Sequence, residues 1–196
     1  MSSVPPDLDT GSAPDPIRRR LLARAAGVLL TFSIGGRECL ATPSQARERG
    51  AQLRFLEPSE ARDLEVLGEA LVPGSRRAGL THYIDQQLFG PPAMSLLMCK
   101  YVGVRPDQAP AFYRSTLLAV RRSLARRVGE VDVRARAVAQ DLVGGSVAGW
   151  QGPPARLAGF VLRSDAVDVV YGTRVGFEQL GVPYMAHIPP GAGWDT

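Results

Sequence analysis

Tyr113-Arg114-Ser115-Thr116-Leu117-Leu118-Ala119-Val120-Arg121-Arg122-Ser123-Leu124-Ala125-Arg126-Arg127-Val128 reads as one amphipathic helix. Tyr113, Leu117, Val120, Leu124 and Val128 recur at steps of three and four, so they share one face of a 3.6-residue turn. Arg114, Arg121, Arg122 and Arg126 lie largely off that stripe. Arg105-Pro106-Asp107 opens the element. Pro110 fits its first turn, where a backbone N–H has no helical acceptor to lose.

The same period extends outward on both sides. Upstream, Pro58 sits at a first helical position with Glu60 and Asp63 in the positive first turn. Leu64, Leu67 and Leu71 form a face, and Pro73-Gly74 ends the helix. Leu80, Ile84 and Leu88 mark a second helix, Leu80 to Phe89, stopped by Gly90-Pro91-Pro92. Met94 to Val104 is apolar and fits either a further helix or a buried extended segment. Downstream, a helix over Val133 to Val143 ends at Gly144-Gly145. A loop runs from Gly149 to Pro154, and a last long helix covers Ala155 to Tyr171. Residues 172–196 carry Pro and Gly clusters and read as an extended tail. No series of strands with hairpin turns and no internal repeat is visible. The expected fold is all-α: a small orthogonal or bundle-like helical domain over residues 55–196, including the extended Pro-rich tail 172–196.

Composition fits one globular domain. The chain has 196 residues, of which 45% are hydrophobic and 21% charged, a globular rather than a disordered composition. Two Cys, Cys39 and Cys99, and two distant His, His82 and His187, argue against a zinc finger, a haem attachment site or an iron–sulfur cluster. The net charge of +4 comes almost wholly from Arg, with Lys100 the sole lysine. Arginines spread among acids fit GC-rich codon usage better than nucleic-acid binding.

Residues 1–46 read as a twin-arginine-type signal region. Residues 1–17 are rich in Pro, Ser and Asp and read as a disordered leader. Arg18-Arg19-Arg20-Leu21-Leu22 follows, and then an apolar core over 25–36. As a helix that core spans roughly half of a ~30 Å hydrocarbon layer, the length of a signal core and too short for an anchor. Cys39-Leu40-Ala41 and Ser44-Gln45-Ala46 offer small residues at two candidate cleavage points. Cleavage there would leave Cys99 as the one thiol, a small buried apolar group.

The familiar chemical motifs are missing. There is no G-x-G-x-x-G after a strand, no phosphate-binding G-x-x-x-x-G-K-S/T and no G-x-S-x-G elbow. Asp165 and Asp168 are a helical i, i+3 pair, readable as an acid–base pair or as a solvated face. His82 reads as structural or partner-facing. His187 lies in the tail, at a surface or interface. Arg121, Arg122, Arg126 and Arg127, with Arg134 and Arg136, offer an anion site or a solvated face. No catalytic, cofactor-binding or metal residue is assigned.

Two blocks carry a resemblance. The first is Glu60 through Leu88, above all Leu71-Val72-Pro73-Gly74 and Tyr83-Ile84-Asp85-Gln86-Gln87-Leu88. The second is Gly176-Phe177-Glu178-Gln179-Leu180-Gly181-Val182-Pro183-Tyr184, continuing to His187-Ile188-Pro189-Pro190 and Trp194. In these the chain resembles the gluconate 2-dehydrogenase subunit 3 family, small subunits of bacterial membrane-associated flavin dehydrogenase complexes. It departs from that family in the short loop after Pro73. The resemblance implies a noncatalytic small subunit that binds no cofactor of its own. The partner would be a large FAD-binding dehydrogenase subunit of the glucose–methanol–choline type acting on a sugar or polyol. A cytochrome c subunit often takes the electrons. The small subunit would escort the large one through the twin-arginine export machinery into the periplasm and stay attached, touching the membrane only through the complex. The tail residues Pro183, Tyr184, Ile188, Pro189, Pro190 and Trp194 would then serve as anchors on that partner. Two other readings stand beside this one. The chain could be an independent periplasmic helical binding or enzymatic domain using His187 and the Asp165/Asp168 pair, or a cytosolic Arg-rich helical protein binding nucleic acid through residues 114–136.

Overall fold

The computed structural model describes residues 29–181. Within them the chain is mostly helical, with one two-stranded sheet. The hairpin comes first: β1 (Leu30–Ile34) pairs antiparallel with β2 (Arg37–Ala41), Leu30 facing Ala41 and Ile34 facing Arg37. Gly35 and Gly36 both take positive φ, the backbone that a tight two-residue hairpin turn demands. Helix α1 (Pro43–Glu48) follows. Its capping box is complete: Gln45 N–H donates to Thr42 Oγ1 at 3.2 Å, and Thr42 N–H donates to Gln45 Oε1 at 3.1 Å.

The helical body consists of α2 (Pro58–Leu71), α3 (Ser75–Ala78), α4 (Leu80–Phe89), α5 (Ala109–Ala125), α6 (Val131–Gly144), α7 (Ala155–Tyr171) and α8 (Arg174–Gln179). Helix α2 is central and packs on α3, α4, α5, α6 and α7. Leu64 and Leu67 of α2, Ile84 of α4, Leu117 and Val120 of α5, Val138 and Leu142 of α6, and Val161 and Leu162 of α7 are buried in one core. Burial of side chains this size stabilises by about 1.5–3 kcal/mol each. Helices α6 and α7 approach so closely at Gly159 that a Cβ there would lie 2.8 Å from the Leu142 carbonyl oxygen. None of the helices is long and apolar enough to cross a membrane, among the described residues.

Several expectations are corrected. Strands were not anticipated, yet residues 30–41 form a hairpin. Leu30, Phe32 and Ile34 alternate with Thr31 and Ser33, the period-2 pattern of a half-buried strand. The apolar residues that precede it hide that alternation. The apolar core expected over 25–36 therefore does not hold as a helix where it is described, since Leu30–Ile34 is a strand. Nor does the helical domain begin at residue 55. Phe32, Ala41, Ala46 and Ala51 form a second small core, and α1 packs on α3 and α4. Both candidate cleavage points end on fully buried alanines, Ala41 and Ala46. Residues 1–17 lie outside the described residues. Val128 does not extend the α5 stripe: the helix ends at Ala125, and Val128 is 96% exposed. The segment 172–196 is not wholly extended, because Arg174–Gln179 forms α8. There the Thr173 hydroxyl accepts the Gly176 N–H at 3.0 Å. Met94–Val104 is neither of the two alternatives but a loop with 3₁₀ turns at Pro92–Met94 and Met98–Val102.

Candidate functional site

The resemblance block at the end of α4 is a set of latches. Asp85, buried on α4, accepts three successive backbone N–H groups: Arg54 on Oδ2 at 2.9 Å, and Phe55 and Leu56 on Oδ1 at 2.9 and 2.8 Å. Gln86 Oε1 accepts the Arg54 guanidinium at 2.7 Å. Gln87 Oε1 accepts the Leu96 N–H at 2.7 Å. Arg54 also donates to Glu38 Oε1 at 2.8 Å and to the Thr31 carbonyl at 3.2 Å, and it lies over the Phe89 ring at 4.0 Å. The Asp-Gln-Gln run thus ties the hairpin, the 54–56 segment and the 90–105 loop to one helix.

A second buried network crosses the centre. Asp165 of α7 accepts the Tyr113 hydroxyl of α5 on Oδ2 and the Met98 N–H on Oδ1, the latter at 2.8 Å. Burial pushes the Asp165 carboxyl up to about 7, helped by the neighbouring Asp168 charge and opposed by the Met98 and Tyr113 hydrogen bonds. The Tyr113 hydroxyl is held well above its usual range by burial and by Asp165. Cys99, beside this network, is buried and raised to about 11, mainly by desolvation. That makes it a poor nucleophile and fits its expected role as a small apolar group.

Asp165 and Asp168 do not share one solvated face, since Asp165 is fully buried. Asp165 faces inward, while Asp168 lines a cavity of about 610 Å³ whose wall also includes Gln45, Arg77, Tyr83, Thr173 and Gln179. Partial burial raises the Asp168 carboxyl. Tyr83 is only 4% exposed on that wall. The cleft wall brings together hydroxyl groups (Thr42, Ser44, Thr173), carboxylates (Glu48, Asp168), amides and the Arg77 guanidinium. Its frame depends on Gly79, at φ +85°, where a Cβ would lie 2.2 Å from the Pro43 carbonyl oxygen. That contact seats α1 at the α3–α4 junction.

The remaining sequence candidates divide. His82 is structural: its Nε2 meets the Ala51 carbonyl at 3.3 Å, and burial lowers its pKa despite that contact. His187 and the tail residues Pro183, Tyr184, Ile188, Pro189, Pro190 and Trp194 lie outside the described residues. Most of the arginine cluster is engaged internally. Arg121 pairs with Asp63 at 2.7 Å, and Arg122 donates to Gln151 at 2.6 Å. Arg126 donates to the Ala148 carbonyl at 2.9 Å, Arg127 pairs with Asp141, and Arg134 donates to the Leu124 carbonyl at 3.2 Å. The Arg127 and Arg134 bonds close the α5–α6 corner, those of Arg122 and Arg126 clamp the 146–152 loop, and Arg121 ties α5 to α2. Among the described residues no cluster of three His, Cys, Asp or Glu is arranged to hold a metal. The Asp85 latch and the Tyr113–Asp165 bridge escaped the sequence reading because their partners are 29–31 and 52 positions away.

No family model, curated protein or solved structure matches the chain.

Proposed function

We propose that the chain is a noncatalytic small subunit of a periplasmic FAD-dependent sugar or polyol dehydrogenase complex, docking and escorting the catalytic flavoprotein. The observation that carries this reading is the use made of the Asp85-Gln86-Gln87 run. In the block that resembles the small-subunit family, every polar side chain of that run holds backbone or a guanidinium of its own chain. A motif spent on latching segments supports a scaffold that presents surfaces. A motif of catalysis would point unpaired groups into a cleft. In this reading FAD and the chemistry belong to the partner, a cytochrome c subunit receives the electrons, and the chain reaches the membrane only through the complex.

The arginines at 18–20 serve in this proposal as the twin-arginine address. Residues 30–46 stay with the mature chain, because cutting after Ala41 or Ala46 would remove a hairpin that Arg54 and α4 hold. Deleting the gene should leave the flavoprotein and its dye-linked dehydrogenase activity in the cytoplasm. Normal periplasmic activity in the deletion strain would reject the escort role.

A further inference from the structure

A smaller cavity, of about 330 Å³, opens where the C-terminal end of α2 meets α6 and α7. Leu71 and Val143 contribute apolar wall, and Arg136 and Arg163 stand at its sides. Five arginines elsewhere (Arg47, Arg54, Arg105, Arg121 and Arg127) each pair with a carboxylate, and the others, Arg37, Arg49 and Arg62 among them, form no such pair; what sets Arg136 and Arg163 apart is that both line one cavity. Arg136 and Arg163 pair with none of the described residues, and no acidic residue lines this cavity. Apolar surface lies alongside. Val143 is 53% exposed, and Phe160, one helical turn before Arg163 on α7, is 51% exposed. Phe160 is not in the cavity wall itself; an exposed aromatic and two arginines near apolar surface are residue types enriched at interfaces.

We propose that the face built from Arg136, Val143, Phe160 and Arg163 docks an acidic segment of the partner flavoprotein. A carboxylate sits between the two guanidinium groups, where the planar donors of Arg favour bidentate pairing. An apolar side chain beside that carboxylate covers Val143 and Phe160. Charge decides the occupant: an unpaired cationic pair calls for an anion, and the apolar flank calls for a protein segment rather than a free ion. The inference rests on the docking-subunit reading and names the surface that does the docking.

The test uses the full chain, tagged and expressed in its native host, with the flavoprotein read by its flavin absorbance and identified by mass spectrometry. Wild type brings the flavoprotein down. Arg136→Glu/Arg163→Glu loses it by at least about tenfold. Arg37→Glu/Arg49→Glu, the same charge change on the hairpin and after α1, keeps it, and Arg136→Lys/Arg163→Lys, which keeps the charge without the planar paired donors, falls between wild type and the Glu variant. Full retention by the Glu double variant, or equal loss in the hairpin control, overturns the proposal while the docking reading stands. A wild-type chain that brings down no flavoprotein overturns both. If the double charge reversal unfolds the chain, the single change Arg163→Gln decides by the same readout.

Discussion

Asp165 Oδ1 accepts the backbone N–H of Met98 at 2.8 Å, while its other oxygen takes the Tyr113 hydroxyl. One buried carboxyl therefore joins α5, α7 and the loop that carries the exposed Met94 and Tyr101. Among the described residues no cation is a partner, and these two hydrogen bonds are what stabilise its ionised form there. The folded state holds the Asp165 proton up to about pH 7, whereas an unfolded aspartate loses it near about 3.9. Its contribution to stability is complete below about pH 4 and falls as pH rises through 7. Thermal melts from pH 4.5 to 8 should therefore differ between wild type and Asp165→Asn in a pH-dependent way. The Asn variant gains relative to wild type as pH rises, by an amount on the order of 3 kcal/mol across the window. A constant difference between the two proteins would refute the assignment.

Asp85 makes a different demand. It serves three N–H groups at once, and they are the entry to α2. Asp85→Ala should cost about 3 kcal/mol or more, because buried donors are left without acceptors. Asp85→Asn, which keeps one carbonyl oxygen, should cost less. Hydrogen exchange should place the fastest new opening at residues 54–56 and in the hairpin that Arg54 holds. Uniform loss of protection across all helices would count against a local latch.

Gly79 tests the seating of α1. An alanine there meets both the strain of a left-handed backbone and the Pro43 carbonyl at 2.2 Å. The substitution should destabilise by about 2 kcal/mol. Limited proteolysis should then cut first between Ala41 and Gln52, with the α2–α7 body left intact. An unchanged cleavage pattern would mean that α1 is held by other contacts.

The helical body was legible because its signals are local. Leu64 and Leu67, Leu80 and Ile84, and Leu117 and Val120 repeat at helical spacing, and Pro58, Gly90 and Gly144 punctuate the elements they bound. The hairpin was hidden because its alternation lies inside a longer apolar run, where short strands and signal cores share a composition. The Asp165/Asp168 pair misled for a geometric reason. Positions three apart on a helix differ by about 60° around its axis, enough to straddle the edge between core and solvent. Asp165 fell on one side of that edge and Asp168 on the other. The latches of Asp85 and Asp165 depend on partners that only tertiary packing brings near, so nothing in the local sequence marks them.

The hairpin itself gives the last prediction, which separates a removable leader from a part of the fold. If residues 30–41 were dispensable, a chain starting at Thr42 would melt like one starting at Leu29. The contacts argue otherwise. Phe32 is buried against Ala46 and Ala51, a burial worth about 2–3 kcal/mol. Arg54 would lose Glu38 and the Thr31 carbonyl together, which leaves its guanidinium with Gln86 and the Phe89 ring alone. The shorter chain should therefore be less stable by about 3 kcal/mol in urea titration. Its loss should be matched in large part by Phe32→Ala in the longer chain. Native protein sequenced from its N-terminus should correspondingly begin upstream of Leu30. Equal stability of the two chains, with a native N-terminus at Thr42 or Arg47, would return these residues to the signal.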